Sequence, residues 1–284
     1  MQITCAIVAL NATGAAIAER LRLSLPGAEL YLLRSEEDRA SKTGEAPSVS
    51  LSLRGIRHKR MTKQSPHIYF DNLGELVGRI FPEYRNLVFV MAVGIVVRVL
   101  APHIRDKKSD PAVVVVDEGR RFAISLLSGH EGGANTLALQ VANACGAQPV
   151  ITTASEVLKP LIVGIGARRG VEKKAVVQAV LEVLAGVGRA PAEVKWLATI
   201  DLKGDEPGLR AASEELGIPL RVISREAVRG FAGDYHRSSL VKDRIGVEGV
   251  CEPCALLAGK NPRLIAPRKS FGGVMVAVAE EGSL

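Results

Sequence analysis

One short turn, Ser128–Gly133, combines residue types that could do chemistry, because a serine, a histidine, a glutamate and three glycines lie between an apolar run and a helical pattern. Imidazole changes its charge near neutral pH, so His130 could act as an acid or a base. Ser128 and Asn135 could position water or a substrate oxygen. A capping turn with a hydrogen-bonded histidine is the alternative, and the spacing leaves both interpretations open.

Three more turns follow apolar runs, at Gly94, in GIGARRG (164–170) and in DLKGDEPG (201–208). In α/β sheets ligands bind outside the carboxyl ends of the strands, where we expect all four turns to lie. Glycine lets the backbone approach a ligand, and a guanidinium binds a carboxylate through two parallel hydrogen bonds. The charges of the last turn could equally belong to a solvated loop. The candidate binding residues are Arg98, Gly132, Gly133, Gly166, Arg168, Arg169, Asp201, Lys203 and Glu206.

Two common site patterns are incomplete in this sequence. The glycines of GIGARRG have the spacing GxGxxxG instead of GxGxxG, and the sequence contains no GxxxxGK[ST], so a nicotinamide or ATP site is not expected. Cys251 and Cys254 have CxxC spacing, but no second ligand pair accompanies them. We therefore predict the start of a helix there, with Pro253 in its first turn, and keep a metal or redox site as the weaker alternative.

The length and composition are those of an ordinary globular protein. The sequence has 284 residues, 47% of them hydrophobic and 24% charged, which is typical of globular proteins and long enough for two domains. We predict an N-terminal domain over residues 1–156 and a C-terminal domain over 157–284. Neither a membrane-spanning run nor a signal peptide is expected. The four scattered cysteines suggest no disulfide framework and favour the cytoplasm.

The formal net charge of +7 leaves three classes of partner open: nucleic acid, an anionic membrane surface and a polyanionic small molecule. Only 4% of the residues are aromatic, and no block alternates rings with lysine or arginine as single-strand binders do. We therefore expect no nucleic acid and no membrane partner. A polyanionic ligand is favoured over these two, and a basic surface without a particular partner remains the simplest alternative.

The periodicity of apolar residues predicts strands alternating with helices, and therefore two layered α/β domains with largely parallel sheets. The runs AVVVVD and RFAISLL, joined by Glu118-Gly119-Arg120, predict a hairpin. Helices are predicted over 134–145 and, after Pro207, to Leu216, and Asp71 is predicted to cap a helix that ends near Tyr84. The polar segment 34–67 predicts a surface loop or partial disorder.

Long motifs resemble a known family from about Leu87 onward. The first is DKKSDPAVVVVDEGRRFAISLLSGHEGGAN, and VGIGARRG, LATIDLKGDEPGLRAASEELGIPL and GVCEP follow in the same order as in the family. They resemble the cobalt-precorrin-5A hydrolases (CbiG) of anaerobic cobalamin biosynthesis. The resemblance implies hydrolysis of the δ-lactone of cobalt-precorrin-5A, release of acetaldehyde and formation of cobalt-precorrin-5B. It implies a cobalt-containing tetrapyrrole substrate, with other pathway enzymes as further partners.

The reaction that the resemblance implies suggests hypothetical roles for the candidate residues. His130 would be the general base, with Ser128 and Asn135 as positioning groups and backbone N–H groups after Gly133 for the oxyanion. The arginines and Lys203 would hold the acetate and propionate groups of the macrocycle. Cobalt would arrive inside the substrate, so no cofactor or protein metal site is expected. The family commonly carries a middle segment where this sequence has only Ser155 to Ile162, which keeps a non-catalytic tetrapyrrole carrier as the alternative function.

Overall fold

Strands and helices alternate along the chain, and the computed structural model folds them into two α/β units, as the sequence predicts. Unit 1 ends at Val150 and unit 2 begins at Ile151, whereas the predicted boundary lies between residues 156 and 157. The structure describes residues 5–34, 67–154 and 158–282. Apart from its two end residues, the predicted loop at 34–67 lies outside the described residues.

Unit 1 contains one sheet whose strand order is β3-β2-β1-β4-β5-β6-β7. Neighbouring strands are parallel except for β5 and β6, which form the predicted antiparallel hairpin. The strands are β1 (Cys5–Ala9), β2 (Glu29–Leu33), β3 (Ile68–Phe70), β4 (Asn86–Val90), β5 (Ala112–Val116), β6 (Phe122–Leu127) and β7 (Gln148–Val150). The helices are α1 (Ala12–Ser24), α2 (Leu73–Ile80), α3 (Val93–Leu100) and α4 (Ala134–Cys145).

The central strands of unit 1 are apolar on both faces because helices cover both sides of the sheet. Successive side chains of a strand point to opposite faces. Ile7 therefore shares one buried cluster with Leu21 of α1, on the face that α4 also covers. Phe89 shares another with Val77 of α2 and Leu100 of α3. Burial of each such side chain contributes about 1.5–3 kcal/mol, which explains the near-continuous apolar runs in the sequence.

The direction of β6 decides where the Ser128–Gly133 turn lies. Because β6 is antiparallel to β5, its last residue, Leu127, pairs with Val113 at the start of β5. The turn was expected at the carboxyl edge of the sheet, beside the turn after β4. It lies instead at the amino edge of β4 and β5, on the opposite side of unit 1.

Two local predictions in unit 1 need correction. Asn72, and not Asp71, caps α2, since its side-chain oxygen accepts the Glu75 N–H at 3.2 Å and the helix ends at Ile80. Asp71 instead lies 3.1 Å from Arg34 in an ion pair. Gly94 is the second residue of α3 and not part of a turn before it. Capping preferences identify the region of a helix start but do not separate adjacent Asp and Asn.

Unit 2 contains a second sheet with the order β10-β9-β8-β12-β11, in which β8, β9 and β10 are parallel and β12 is antiparallel to both neighbours. Its strands are β8 (Leu161–Ala167), β9 (Val194–Ile200), β10 (Leu220–Ile223), β11 (Pro262–Phe271) and β12 (Val274–Glu281). Its α-helices are α5 (Lys173–Ala185), α6 (Pro207–Leu216), α7 (Arg225–Gly230), α8 (Ser239–Ile245) and α9 (Cys251–Ala258). Short 3₁₀ turns span Pro191–Glu193 and Asp201–Lys203.

The two faces of the second sheet pack differently. On one face, α5 and α6 bury Val180 and Leu209 against Val163 of β8. On the other face, α9 lies so close to β8 that a Cβ on Gly164 would overlap the Cys251 carbonyl. Glycine is therefore required at position 164 by the close packing of α9 on β8. No helix within the described ranges is long and apolar enough to cross a membrane.

Candidate functional site

A cavity of about 420 Å³ opens in unit 2 beyond the carboxyl ends of β8 and β9. The turn after β8 supplies Arg168 and Arg169, and the 3₁₀ turn after β9 supplies Lys203. The segment around α8, the first turn of α9 and the paired strands β11 and β12 complete the lining. The cavity thus lies where ligands of α/β sheets bind, and its volume is within the usual range for small-molecule sites.

The lining of this cavity is rich in cations. Five basic side chains contribute to it: Arg168, Arg169, Lys203, Arg244 and Arg268. Among the lining residues the only carboxylate is Glu252, whose side chain is buried and accepts the N–H groups of His236 at 2.7 Å and Arg268 at 2.9 Å. Because five cations face a single lining carboxylate, most of the positive charge is left for a ligand. This arrangement suits a polyanion.

Apolar side chains form much of the remaining wall. Ile200, Leu202, Val241, Ile245, Val250 and Met275 all line the cavity. A lining that is apolar with a few fixed charges favours a ligand that has an extended hydrophobic body and charged substituents. A small inorganic anion would use only the cations and would leave the apolar wall in water.

Four of the predicted unit 2 residues line the cavity, and two do not. Gly166, Arg168, Arg169 and Lys203 are part of the lining. Glu206 is buried and accepts the Gly170 N–H at 2.9 Å, while its second oxygen lies 3.6 Å from Lys203 Nζ.

Asp201, the other residue outside the lining, accepts the Arg225 N–H at 3.0 Å. Both acidic side chains therefore hold the turns that carry the cations, and neither faces the ligand space.

Three ionisable lining residues were not among the candidates from the sequence: His236, Arg244 and Arg268. His236 and Arg244 belong to a polar stretch without clear periodicity, which gave no signal for α7 or α8. Arg268 lies on β11, and only the pairing of β11 with β12 brings that strand to the cavity. The carboxylate of Glu252 connects two of the three, since it binds the backbone of both His236 and Arg268. The GVCEP motif that contains it was the one available hint.

Carbonyl oxygens of the Ser128–Gly133 turn in unit 1 accept the backbone N–H groups that follow it. Ser128 is buried, has a positive φ of 57°, and donates its hydroxyl to the Asp110 carbonyl oxygen at 3.0 Å. The N–H groups of Ala134 and Asn135 are bound by the carbonyl oxygens of Ser128 at 3.2 Å and Gly129 at 3.0 Å. These two donors at the start of α4 are therefore not available to an oxyanion.

The remaining predicted residues of unit 1 lie at two different edges. His130 is exposed, and within the described parts of the chain its ring has no hydrogen-bond partner. The side-chain oxygen of Asn135 accepts the Ser125 hydroxyl at 2.8 Å, which fixes α4 against β6. Arg98 donates to the Gly94 carbonyl at 3.0 Å within α3, after the carboxyl end of β4. The sheet therefore separates Arg98 from His130.

The CxxC cysteines are at the start of α9, as predicted, and all four cysteines are buried and free. Burial, followed by the charge of Glu252, raises the pKa of Cys251 from 9.0 to about 12. Burial also raises the pKa of Cys254 well above its ordinary value. A thiol that stays protonated is a poor nucleophile and a poor metal ligand. Within the described ranges, no group of three or more His, Cys, Asp or Glu could hold a metal ion.

Comparison with known proteins gives matches in both units. The family model "Cobalamin synthesis G N-terminal" matches residues 75–156, and "Cobalamin synthesis G C-terminus" matches residues 161–279. The first model covers the Ser128–Gly133 turn, and the second covers every residue that lines the cavity of unit 2.

Individual relatives agree with these matches. A cobalt-precorrin-5A hydrolase from Priestia megaterium is 44% identical over 107 residues, 38% of this chain and 29% of the relative. One from Salmonella typhimurium is 60% identical over 77 residues, 27% of this chain and 22% of the relative. A probable cobalt-precorrin-5A hydrolase from Methanocaldococcus jannaschii is 26% identical over 299 aligned residues, 76% of this chain and 92% of the relative.

The alignments thus span under a third of the first two relatives and most of the third. The two family models, taken together, cover well over half of the chain, in the order in which the family carries them. From the two units and their matched motifs, we conclude that this chain belongs to the CbiG family of cobalamin synthesis proteins.

Proposed function

We propose that this protein hydrolyses the δ-lactone of cobalt-precorrin-5A, releases acetaldehyde and forms cobalt-precorrin-5B. The observation that carries the proposal is the cavity of unit 2, where five cations surround an apolar wall. The substrate is a cobalt-bearing macrocycle fringed with acetate and propionate groups. Its ring matches the apolar wall, and its carboxylates match the guanidinium groups. Cobalt enters with the substrate, so the proposal needs no cofactor, and it places the reaction in the cytoplasm.

Lactone hydrolysis requires a base for water and a donor for the charge that develops on the carbonyl. We assign the base to His130, whose exposed ring has no competing partner among the described residues. Ser128 and Asn135 support this assignment by fixing the turn through Asp110 and Ser125. The cations assigned to the substrate carboxylates are Arg168, Arg169 and Lys203 of unit 2 and Arg98, which lies at the edge of unit 1 opposite His130.

His236 is the alternative base, because it is the imidazole that lines the cavity of unit 2. The two candidates make different predictions for the same assay. If His130 acts as the base, His130→Ala lowers turnover at least a hundredfold while macrocycle affinity stays within a few-fold. If His236 acts instead, the loss follows His236→Ala and His130→Ala retains near-normal turnover.

The decisive experiment is anaerobic incubation of the purified protein with cobalt-precorrin-5A, with acetaldehyde measured as the product. His67→Ala is the matched control, because His67 pairs with Glu19 on the surface and lines neither candidate site. Acetaldehyde from the wild-type protein together with a ring-opened corrinoid supports the hydrolase. Absence of acetaldehyde, with the macrocycle bound, contradicts it.

A non-catalytic carrier of the same macrocycle is the second candidate function. The closed backbone of the Ser128–Gly133 turn favours it, because the N–H groups of Ala134 and Asn135 already have acceptors. The few residues between Ser155 and Ile162, where the family carries a middle segment, point the same way. A carrier would bind the macrocycle tightly and return it unchanged, and the cavity of unit 2 would account for that binding by itself.

A further inference from the structure

A second cavity, of about 480 Å³, lies in unit 1 at the amino edge of the sheet. Its walls are the end of α2, the residues before β4, the loop before β5 and the Ser128–Gly133 turn. The antiparallel direction of β6 brings that turn to the same edge as the loop before β5. Apart from Gly132, none of the candidate binding residues lines this cavity.

Three basic and three acidic side chains line this cavity. Arg85, Arg105 and Lys108 line it, and within the described residues no carboxylate pairs with any of the three. The carboxylates of the lining are Glu83, Asp110 and Glu131. Two of these three are bound by other groups of unit 1: Asp110 by backbone N–H groups, and Glu131 by Lys107, whose charge offsets it. Three lining cations therefore face two carboxylates without a cationic partner among the described residues.

Asp110 is the first of these engaged carboxylates. It is buried, 7% exposed, and one of its oxygens accepts the N–H groups of Arg105 at 2.9 Å and Asp106 at 3.1 Å. These backbone donors occupy the buried carboxylate, so it does not pair with the lining cations. Glu131 is the second, since it lies 3.3 Å from Lys107. Glu83 is left as the one acidic lining residue without a described partner.

The cavity is also held in shape before any ligand binds. The carboxylate of Asp110 fixes the loop that carries Arg105 and Lys108, and its carbonyl accepts the Ser128 hydroxyl. Gly132 contributes to the lining and has no space for a side chain, because a Cβ there would lie 2.8 Å from the Ser128 carbonyl oxygen. The loop backbone that carries Arg105 and Lys108 is thus fixed before a ligand binds, which lowers the ordering cost of binding, while both side chains are exposed.

From these contacts we propose that the amino-edge cavity of unit 1 is a second binding site for carboxylate groups, built from Arg85, Arg105 and Lys108 beside the Ser128–Gly133 turn. Its ligand is a polycarboxylate, and, resting on the proposed function, that ligand is the rim of the tetrapyrrole. This site, and not Arg98, supplies the positive charge on the His130 side of unit 1. The imidazole of His103, which packs against Phe81 at 5.9 Å between ring centroids, completes the wall.

The test uses the full chain and uroporphyrin, an octacarboxylate macrocycle, with the tetracarboxylate coproporphyrin as a probe of charge. Arg105→Gln/Lys108→Gln removes two cations of the cavity. Arg120→Gln/Lys174→Gln removes the same two residue types from exposed positions that line neither cavity. We expect the cavity variant to bind uroporphyrin about tenfold more weakly than the control variant, and to show a smaller preference for uroporphyrin over coproporphyrin, since the cavity of unit 2 keeps its cations.

Equal affinity of the two variants for uroporphyrin would overturn the proposal. Thermal unfolding checks that both variants fold, and Arg105→Lys, which keeps the charge, should recover part of the affinity. Acetaldehyde release separates this inference from the proposed function. If the wild-type protein releases no acetaldehyde but its uroporphyrin binding depends on Arg105 and Lys108, the second binding site is supported and the hydrolase function is contradicted. If the cavity variant binds uroporphyrin and releases acetaldehyde like the control variant, the hydrolase function is supported and the second binding site is contradicted.

Discussion

Ser128 and Asp110 are joined across unit 1, since the Ser128 hydroxyl donates to the Asp110 carbonyl oxygen at 3.0 Å although 18 positions separate them in the sequence. Both residues are buried. The bond connects the first residue of the Ser128–Gly133 turn to the loop before β5, in which the Asp110 carboxylate accepts hydrogen bonds from the N–H groups of Arg105 and Asp106. The hydroxyl therefore serves the geometry of the turn.

Ser128→Ala should lower the free energy of unfolding by about 1 kcal/mol, because a buried hydrogen bond is lost and the Asp110 carbonyl is left without that donor. Turnover should fall by less than about tenfold. Urea denaturation and the acetaldehyde assay measure the two effects. Ser128→Gly is the informative comparison, since glycine removes the same hydroxyl but suits the positive φ of 57°. A loss of turnover as large as that of a missing nucleophile would contradict a positioning role for Ser128.

Gly132→Ala should destabilise unit 1 by about 2–3 kcal/mol, since its Cβ would overlap the Ser128 side chain and approach the Ser128 carbonyl oxygen to 2.8 Å. Gly94→Ala is the matched control. A Cβ on Gly94 would meet only the flexible end of Arg98, at 3.4 Å, and alanine favours the helical position. Thermal unfolding of both variants tests the pair, and equal melting temperatures would show that the turn can relax.

Gly164→Ala and Gly166→Ala should differ sharply although both lie on β8. The Cβ of the first would overlap the Cys251 carbonyl, so α9 must move and unit 2 should lose more than about 3 kcal/mol. The Cβ of the second would lie at an ordinary 3.5 Å from the nearest atom, on Val250. Gly166→Ala should therefore fold normally and change only macrocycle affinity, since Gly166 lines the cavity. Circular dichroism and a porphyrin titration separate the two outcomes.

The buried thiols predict a loss of stability in alkaline solution. Burial raises the pKa of Cys5 and of Cys251 from 9.0 to about 12. Between those two values the unfolded chain releases the thiol proton and the folded chain keeps it, so the free energy of unfolding falls as pH rises from 9 towards 12. Below pH 9 these thiols do not make the free energy of unfolding depend on pH. Denaturation curves at several pH values measure the effect, and Cys251→Ala should reduce it.

Much of the fold was predictable because its signals are local. The helix over 134–145 follows from its apolar periodicity, and the hairpin of β5 and β6 from a tight polar turn between two β-rich runs. Pro207 begins α6 and Gly217, at a φ of 63°, ends it, as their backbone preferences require. Arg168, Arg169 and Lys203 were identified as ligand-binding candidates because glycine-containing turns after parallel strands are where such groups accumulate.

The sequence by itself determined the alternation of strands and helices, the family motifs and the turns that carry charge. Only the tertiary structure decided which of those charges share a site. The reversal of β6 moved the Ser128–Gly133 turn to the edge occupied by Arg105 and away from Arg98. The pairing of β11 with β12 brought Arg268 to the cavity of unit 2. Local propensity follows the order of residues along the chain, whereas strand direction and long-range pairing depend on which apolar faces pack together.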